Sequence, residues 1–223
     1  MTACERTRQA DLGDEISTDI PAEVPSDVAA DAAADVALNT LVLESLDGAP
    51  VSWNAREDRS ATVFLFVRTD CPISNRYAPE YSRLHEAFAS RGVTFRFVYV
   101  DPDESADLVR AHRADYSLPA DAWIDRTHSL VSWTGATITP EAAVVDSAGT
   151  LRYRGRIDDR YVDFGKARRE ASTRDVEDVL NILIAGELPT LRTTKSVGCF
   201  IEDLAPEPSP DAAGPPTVEE AAG

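Results

Sequence analysis

The sequence predicts an α/β domain with a mixed sheet, flanked by a disordered acidic segment at each end. In the middle of the chain, apolar stretches of strand character alternate with segments whose apolar residues recur at helical spacing. The two ends lack aromatic residues and are rich in Ala, Asp, Glu and Pro. We therefore expect a domain at residues 39–190, a C-terminal strap at 191–204, and disordered tails at 1–38 and 205–223.

The central elements can be placed individually. Ala61–Val67 is a near-continuous apolar run, which predicts a strand buried on both faces. Apolar and aromatic residues at helical spacing predict an amphipathic helix from Ser74 to Arg91. The other predicted elements are strands at Leu41–Leu43, Val93–Val100 and Trp123–Ile124, a helix capped by Asp101-Pro102-Asp103 and ending near Arg113, a hairpin of residues 142–146 and 151–154, and a last helix from Thr173 to Ala185.

Composition excludes two classes of function. The formal net charge is −17, and the acidity is concentrated in the tails. Residues 1–38 hold nine acidic and two basic residues, and residues 202–223 hold six acidic residues and no basic one. Nucleic-acid binding requires a basic face, so we expect no nucleic-acid partner. No apolar run approaches the roughly 20 residues of a membrane span, which excludes an integral membrane protein.

One cysteine stands at a chemically distinctive position. Cys71 directly follows the predicted central strand and precedes the first long helix, and Pro72 suits a first helical turn. A helix N-terminus offers unpaired N–H groups and the positive end of the helix dipole, which stabilise a reactive thiolate. A buried structural cysteine is the alternative, because free Cys also behaves as a small hydrophobic residue.

Two motifs resemble a known family. Residues 67–75 (Val-Arg-Thr-Asp-Cys-Pro-Ile-Ser-Asn) and 139–146 (Thr-Pro-Glu-Ala-Ala-Val-Val-Asp) are similar to the thioredoxin superfamily, most of all to its redoxin, or thiol-specific antioxidant (AhpC/TSA-like), branch. The resemblance implies a thioredoxin-like three-layer α/β/α sandwich. It also implies that Cys71 is the catalytic nucleophile, that Pro140 is a cis proline beside it, and that Thr139 offers its backbone to a substrate chain.

The chain departs from the family motifs at three positions. Ser74 replaces the second cysteine of a Cys-x-x-Cys motif, so the motif cannot form a local disulfide. Phe64 and Arg68 stand where the peroxiredoxin pattern has its proline and hydroxyl residue. The resemblance therefore implies a thiol-dependent oxidoreductase without specifying its reaction, which is either thiol–disulfide exchange or peroxide reduction.

A second cysteine can replace the missing thiol. Cys199 lies in an apolar segment, residues 197–201, that we expect to fold back onto the domain. Some redoxin-like bacterial proteins with a similar core carry a Gly-Cys near the C-terminus, and this chain resembles them. On one interpretation Cys199 is a distant resolving cysteine, which displaces the product from Cys71 by forming an intramolecular disulfide. A packed cysteine that never meets Cys71 is the alternative, since a disulfide needs Cα atoms within about 7 Å.

Two other functions use the same fold. Two cysteines and a histidine can hold Cu(I), as in thioredoxin-fold copper chaperones, and the chain has His85, His112 and His128. No His or Cys pair has the spacing of a local metal site, so we predict no metal ligands. A redox-inert adaptor is the third possibility. Because sulfur carries the electrons, no cofactor is implied.

The start of the sequence bears on location. Residues 1–4 (Met-Thr-Ala-Cys) resemble the end of a bacterial lipobox, and an acidic linker follows. A chance match in a small-residue terminus is the alternative. We expect an exported bacterial protein, periplasmic or anchored as a lipoprotein through Cys4. Its expected partners are protein thiols and disulfides, or peroxides, together with an external thiol reductant.

Overall fold

The structure, a computed structural model, describes residues 41–51, 53–54 and 60–202. The two predicted tails, and Cys4 with them, lie outside the described residues. Among the helices of the described part, none has the length and apolar character needed to span a bilayer.

Strands and helices alternate as the sequence predicts. The strands are β1 (Leu43–Ser45), β2 (Pro50–Val51), β3 (Ala61–Val67), β4 (Val93–Tyr99), β5 (Asp121–Ile124), β6 (Ile138–Thr139), β7 (Glu141–Asp146), β8 (Leu151–Gly155), β9 (Tyr161–Asp163), β10 (Lys166–Ala167), β11 (Arg192–Thr193) and β12 (Cys199–Phe200). The helices are α1 (Pro72–Arg76), α2 (Ala78–Phe88), α3 (Ala106–Asp115), α4 (Ser129–Thr134) and α5 (Asp175–Ile184), and a 3-10 turn follows α2 at Ala89–Arg91.

Eight of the described strands form one mixed sheet, in the order β11-β8-β7-β3-β4-β5-β1-β2. At its centre, β3 pairs in parallel with β4 and antiparallel with β7, and β7 continues into β8 as the predicted hairpin. Every residue of β3 is buried, as its apolar run predicts. The strand that ends at the candidate site is thus held on both sides.

Helices cover both faces of this sheet. Successive residues of a strand point to opposite faces, so Val63 and Leu65 contribute to one core cluster, and Phe64 and Phe66 to the other. The first cluster includes buried residues of α2, α3 and α5, and the second includes residues of α4. The predicted three-layer α/β/α sandwich is therefore confirmed.

Two details of the predicted helices are wrong. The segment expected to form one helix divides at Tyr77 into α1 and α2. Pro79 lacks the N–H that a continuous helix would need at that point, and it lies instead in the first turn of α2. The next helix is capped by Ser105, whose hydroxyl accepts from Leu108 N at 3.2 Å, and not by the preceding Asp-Pro-Asp segment.

Candidate redox site

Cys71 lies where the central strand passes into the first helix. It is the N-cap of α1, with extended backbone angles (φ −80°, ψ 107°), and its sulfur accepts a hydrogen bond from Ser74 N at 3.5 Å. Pro72 occupies the first turn, where its missing N–H leaves no donor unpaired. The side chain is fully buried, at 0% exposure. The position thus combines the helix start expected of a reactive thiol with the burial expected of a structural one.

The downstream motif meets this cysteine from the neighbouring segment. The Thr139–Pro140 peptide bond is cis, as the resemblance implies. The carbonyl oxygen of Thr139 lies 3.1 Å from Cys71 Sγ and accepts a hydrogen bond from the protonated thiol. The two motifs, 68 residues apart in sequence, therefore form one site.

The C-terminal strap completes the site with the second cysteine. β12 pairs antiparallel with β6, so that Cys199 lies opposite Thr139 and Phe200 opposite Ile138. Just beyond the pair, Ile201 N donates to Thr137 O at 3.0 Å. The backbone of Thr139, which the resemblance assigns to a substrate chain, is thus paired with the protein's own strap.

A glycine makes this close approach feasible. A Cβ atom on Gly198 would lie 1.9 Å from the carbonyl oxygen of Thr139 and 2.7 Å from its carbonyl carbon. Both contacts are with backbone, which cannot rotate away as a side chain can. Only glycine allows the strap to lie this close to β6.

The surroundings shift the two thiols in opposite directions. Burial alone would raise the pKa of Cys71. Hydrogen bonds from Ser74 N–H, from the Thr139 side chain and from the thiol and backbone of Cys199 outweigh this effect, so the pKa of Cys71 is lowered. The Thr139 carbonyl acts the other way, since it stabilises the protonated thiol. Burial, the hydrogen bond to Cys71 and the charge of Cys71 raise the pKa of Cys199 to about 11. Cys71 is the better thiolate, and the two side chains share a hydrogen bond.

Buried polar groups behind the site hold the loop before Cys71. The Glu104 carboxylate accepts hydrogen bonds from Thr69 N and Thr69 Oγ1, at 2.8 and 2.6 Å. Asn75 Nδ2 donates to Thr69 O at 3.0 Å, and Asn75 Oδ1 lies 2.8 Å from His112 Nε2. Tyr99 OH contacts the other nitrogen of that histidine at 2.8 Å. Sequence reasoning missed this network, because its members are far apart in the chain and follow no motif.

The three histidines considered as copper ligands have partners other than the two cysteines. His85 packs against the ring of Phe95, His112 belongs to the network described above, and His128 Nε2 lies 2.6 Å from Val100 O. Among residues 41–51, 53–54 and 60–202, no cluster of three or more His, Cys, Asp or Glu could hold a metal ion. The two cysteines are therefore not joined by a histidine there.

The fold, with a cysteine at the start of a helix beside a cis proline, defines a protein of the thioredoxin superfamily, in its redoxin branch. A family model described as the AhpC/TSA family matches residues 29–154, more than half of the chain, and the chain belongs to this family. The match contains Cys71 and Pro140 and ends before the strap that carries Cys199. None of the curated proteins is significantly similar in sequence to the chain.

Solved structures support the same fold. An uncharacterised conserved protein from Geobacillus kaustophilus is 22% identical, with a TM-score of 0.63 over 74% of this chain and 88% of that one. A hypothetical protein from Sinorhizobium meliloti is also 22% identical, with a TM-score of 0.62 over 74% of this chain and 91% of its own. At these identities the likeness concerns the fold.

Proposed function

We propose that this protein is a thiol-dependent oxidoreductase in which Cys71 is the nucleophile and Cys199 the resolving cysteine. One observation carries the proposal: Cys199 lies opposite Thr139 in the β6–β12 pair, and the carbonyl of Thr139 contacts Cys71 Sγ. Because residues directly opposite in an antiparallel pair have Cα atoms about 4.5–5.5 Å apart, Cys199 lies this close to Thr139, the residue whose carbonyl contacts Cys71. A disulfide between Cys71 and Cys199 would replace the one that Ser74 prevents.

The reaction consumes one substrate disulfide and produces one protein disulfide. The Cys71 thiolate attacks a substrate sulfur, a mixed disulfide forms, and the other substrate sulfur leaves as a thiolate that takes up a proton. Cys199 then loses its proton and attacks Cys71 Sγ, which expels the second substrate thiolate. Two electrons pass to the substrate, and an external thiol must reduce the Cys71–Cys199 disulfide for the next cycle.

The surroundings of the site favour disulfide exchange over peroxide reduction. Phe64, at the peroxiredoxin proline position, is buried in the core against Trp53 and Trp123. Arg68, at the hydroxyl position, pairs with Asp70 and Asp101. Neither residue is the proline or the hydroxyl residue that the peroxiredoxin pattern has at these positions. Protein thiols and disulfides are therefore the proposed substrates, and a location outside the cytoplasm would suit a chain that cycles through a disulfide.

The test is to expose the reduced full-length protein to insulin, whose disulfides are accessible. The thiols that remain in this protein are then counted, and its peptides are mapped without reduction. Of the three cysteines, two should be lost, and the Cys71 and Cys199 peptides should be cross-linked. The Cys199→Ser variant should stop at a mixed disulfide between Cys71 and insulin, because the resolving thiol is missing.

Two further variants make the outcome decisive. Cys71→Ser should neither reduce insulin nor form an intramolecular disulfide, whereas Cys4→Ser should behave as the wild type. Unchanged thiols in the wild-type protein would support a redox-inert adaptor. Insulin reduction that survives in Cys71→Ser would show that another group is the nucleophile.

A further inference from the structure

The two sulfur-bearing residues differ sharply in their access to solvent. Cys71 is 0% exposed and belongs to the apolar core on one face of the sheet. Cys199 is only half-buried, and the next residue, Phe200, is 76% exposed. A reagent that arrives from solvent therefore meets the strap cysteine before it meets Cys71.

The strap also closes the route along which a chain would approach Cys71. The backbone of Thr139 is paired with Cys199, and the missing Cβ of Gly198 allows this contact to be tight. The strap is anchored on both sides of the pair, since β11 joins the main sheet beside β8 and Ile201 packs on the second core cluster. A polypeptide that attacks or is attacked at Cys71 must displace this strap, whereas a thiol that reacts at Cys199 need not.

The hydrogen bonds around the pair decide which sulfur leaves more easily. In thiol–disulfide exchange, the thiol of lower pKa is the better leaving group. Ser74 N–H points at Cys71 Sγ, and hydrogen bonds lower the pKa of Cys71, while burial raises that of Cys199. Solvent access and leaving-group pKa therefore both favour attack on Cys199 with departure of Cys71.

We propose that an external thiol reduces this protein by attacking Cys199, with Cys71 as the leaving group, so that Cys199 is the residue through which electrons enter. This rests on the Cys71–Cys199 disulfide of the proposed function. The incoming thiolate bonds to Cys199 Sγ, the protein disulfide breaks, and Cys71 leaves as a thiolate. A second thiolate attacks the external sulfur of this mixed disulfide, Cys199 is released and takes up a proton, and the two external thiols end as one disulfide.

The experiment uses glutathione as the probe thiol. The full-length Cys4→Ser protein is first oxidised, and the Cys71–Cys199 cross-link is verified by peptide mapping, which tests the proposed function separately. Glutathione is then added, the reaction is stopped with acid at short times, and the glutathione adducts are mapped. We expect adducts on Cys199 to exceed those on Cys71 by about tenfold or more, because exchange depends on access and on the leaving group.

A second readout follows the released sulfur. Attack on Cys199 sets free Cys71, whose lowered pKa favours the thiolate that absorbs in the ultraviolet, whereas attack on Cys71 would set free Cys199, whose pKa is raised to about 11 and which keeps its proton at neutral pH. A rise in thiolate absorbance with the first kinetic phase is expected. Adducts found mainly on Cys71, or a first phase without thiolate absorbance, would overturn the inference even where the cross-link is present.

Discussion

Gly198→Ala should uncouple the two cysteines. The new Cβ would overlap the carbonyl oxygen of Thr139 at 1.9 Å and its carbonyl carbon at 2.7 Å, so either β6 or the strap must move. The anchored and fully buried neighbour is Thr139, at 0% exposure. We therefore expect the strap to move and to carry Cys199 away from Cys71.

The size of the effect follows from the contacts that are lost. Displacement breaks the backbone hydrogen bonds between β6 and β12 and the bond from Ile201 N to Thr137 O. At about 1 kcal/mol for each bond, docking of the strap is weakened by about 2–3 kcal/mol. The equilibrium constant for closing the Cys71–Cys199 disulfide should then fall by about 30- to 150-fold, which corresponds to a reduction potential higher by about 45–65 mV.

The assay is a titration of the disulfide against glutathione buffers, with Gly165→Ala as the matched control. Gly165 has a φ of +74° and open space around its Cβ position, so alanine there strains the backbone by about 1 kcal/mol without touching the site. The control should lose stability and keep its reduction potential. If Gly198→Ala closes the disulfide as readily as the wild type, the strap does not position Cys199 beside Cys71.

Two further predictions concern pKa values. Cys199→Ala should raise the pKa of Cys71, since it removes a hydrogen bond from the thiolate, whereas Cys199→Ser should keep the pKa of Cys71 near its wild-type value. Thiolate absorbance against pH measures the pKa of Cys71 in each protein. The same pKa in Cys199→Ala as in the wild type would contradict the shared hydrogen bond. Burial raises the pKa of Glu104, so its contribution to stability is complete below the unfolded pKa of about 4.3 and is lost as pH rises through the native pKa. In denaturant unfolding, Glu104→Gln should therefore gain stability relative to wild type as pH rises from about 4 to about 7, unlike the exposed control Glu187→Gln; a constant difference would refute it.

Local patterns were sufficient to predict the frame of the site. The apolar run Ala61–Val67 forms the central strand within its predicted bounds, and Cys71 opens a helix directly after it. The expected cis bond is present before Pro140. These features depend on neighbouring residues, which is why spacing and a short motif could reveal them.

Long-range contacts could not be predicted in the same way. The register that sets Cys199 opposite Thr139 joins residues 60 apart, and an apolar strap segment does not state which strand it pairs with. The bond from Thr69 to Glu104 spans 35 residues and depends on how α3 is set against β3. The prediction of one continuous helix across Tyr77 is wrong for a local reason, since Pro79 in the sequence already indicates a helix start at that point.

A glutathione redox titration of the Cys4→Ser protein shows whether Cys71 and Cys199 form one disulfide. We expect one two-electron transition, in which the oxidised form is the Cys71–Cys199 disulfide, and we expect this transition to disappear in both Cys71→Ser and Cys199→Ser. A transition that persists in Cys199→Ser, or an oxidised state that consists only of glutathione adducts, would contradict the pairing of these two cysteines.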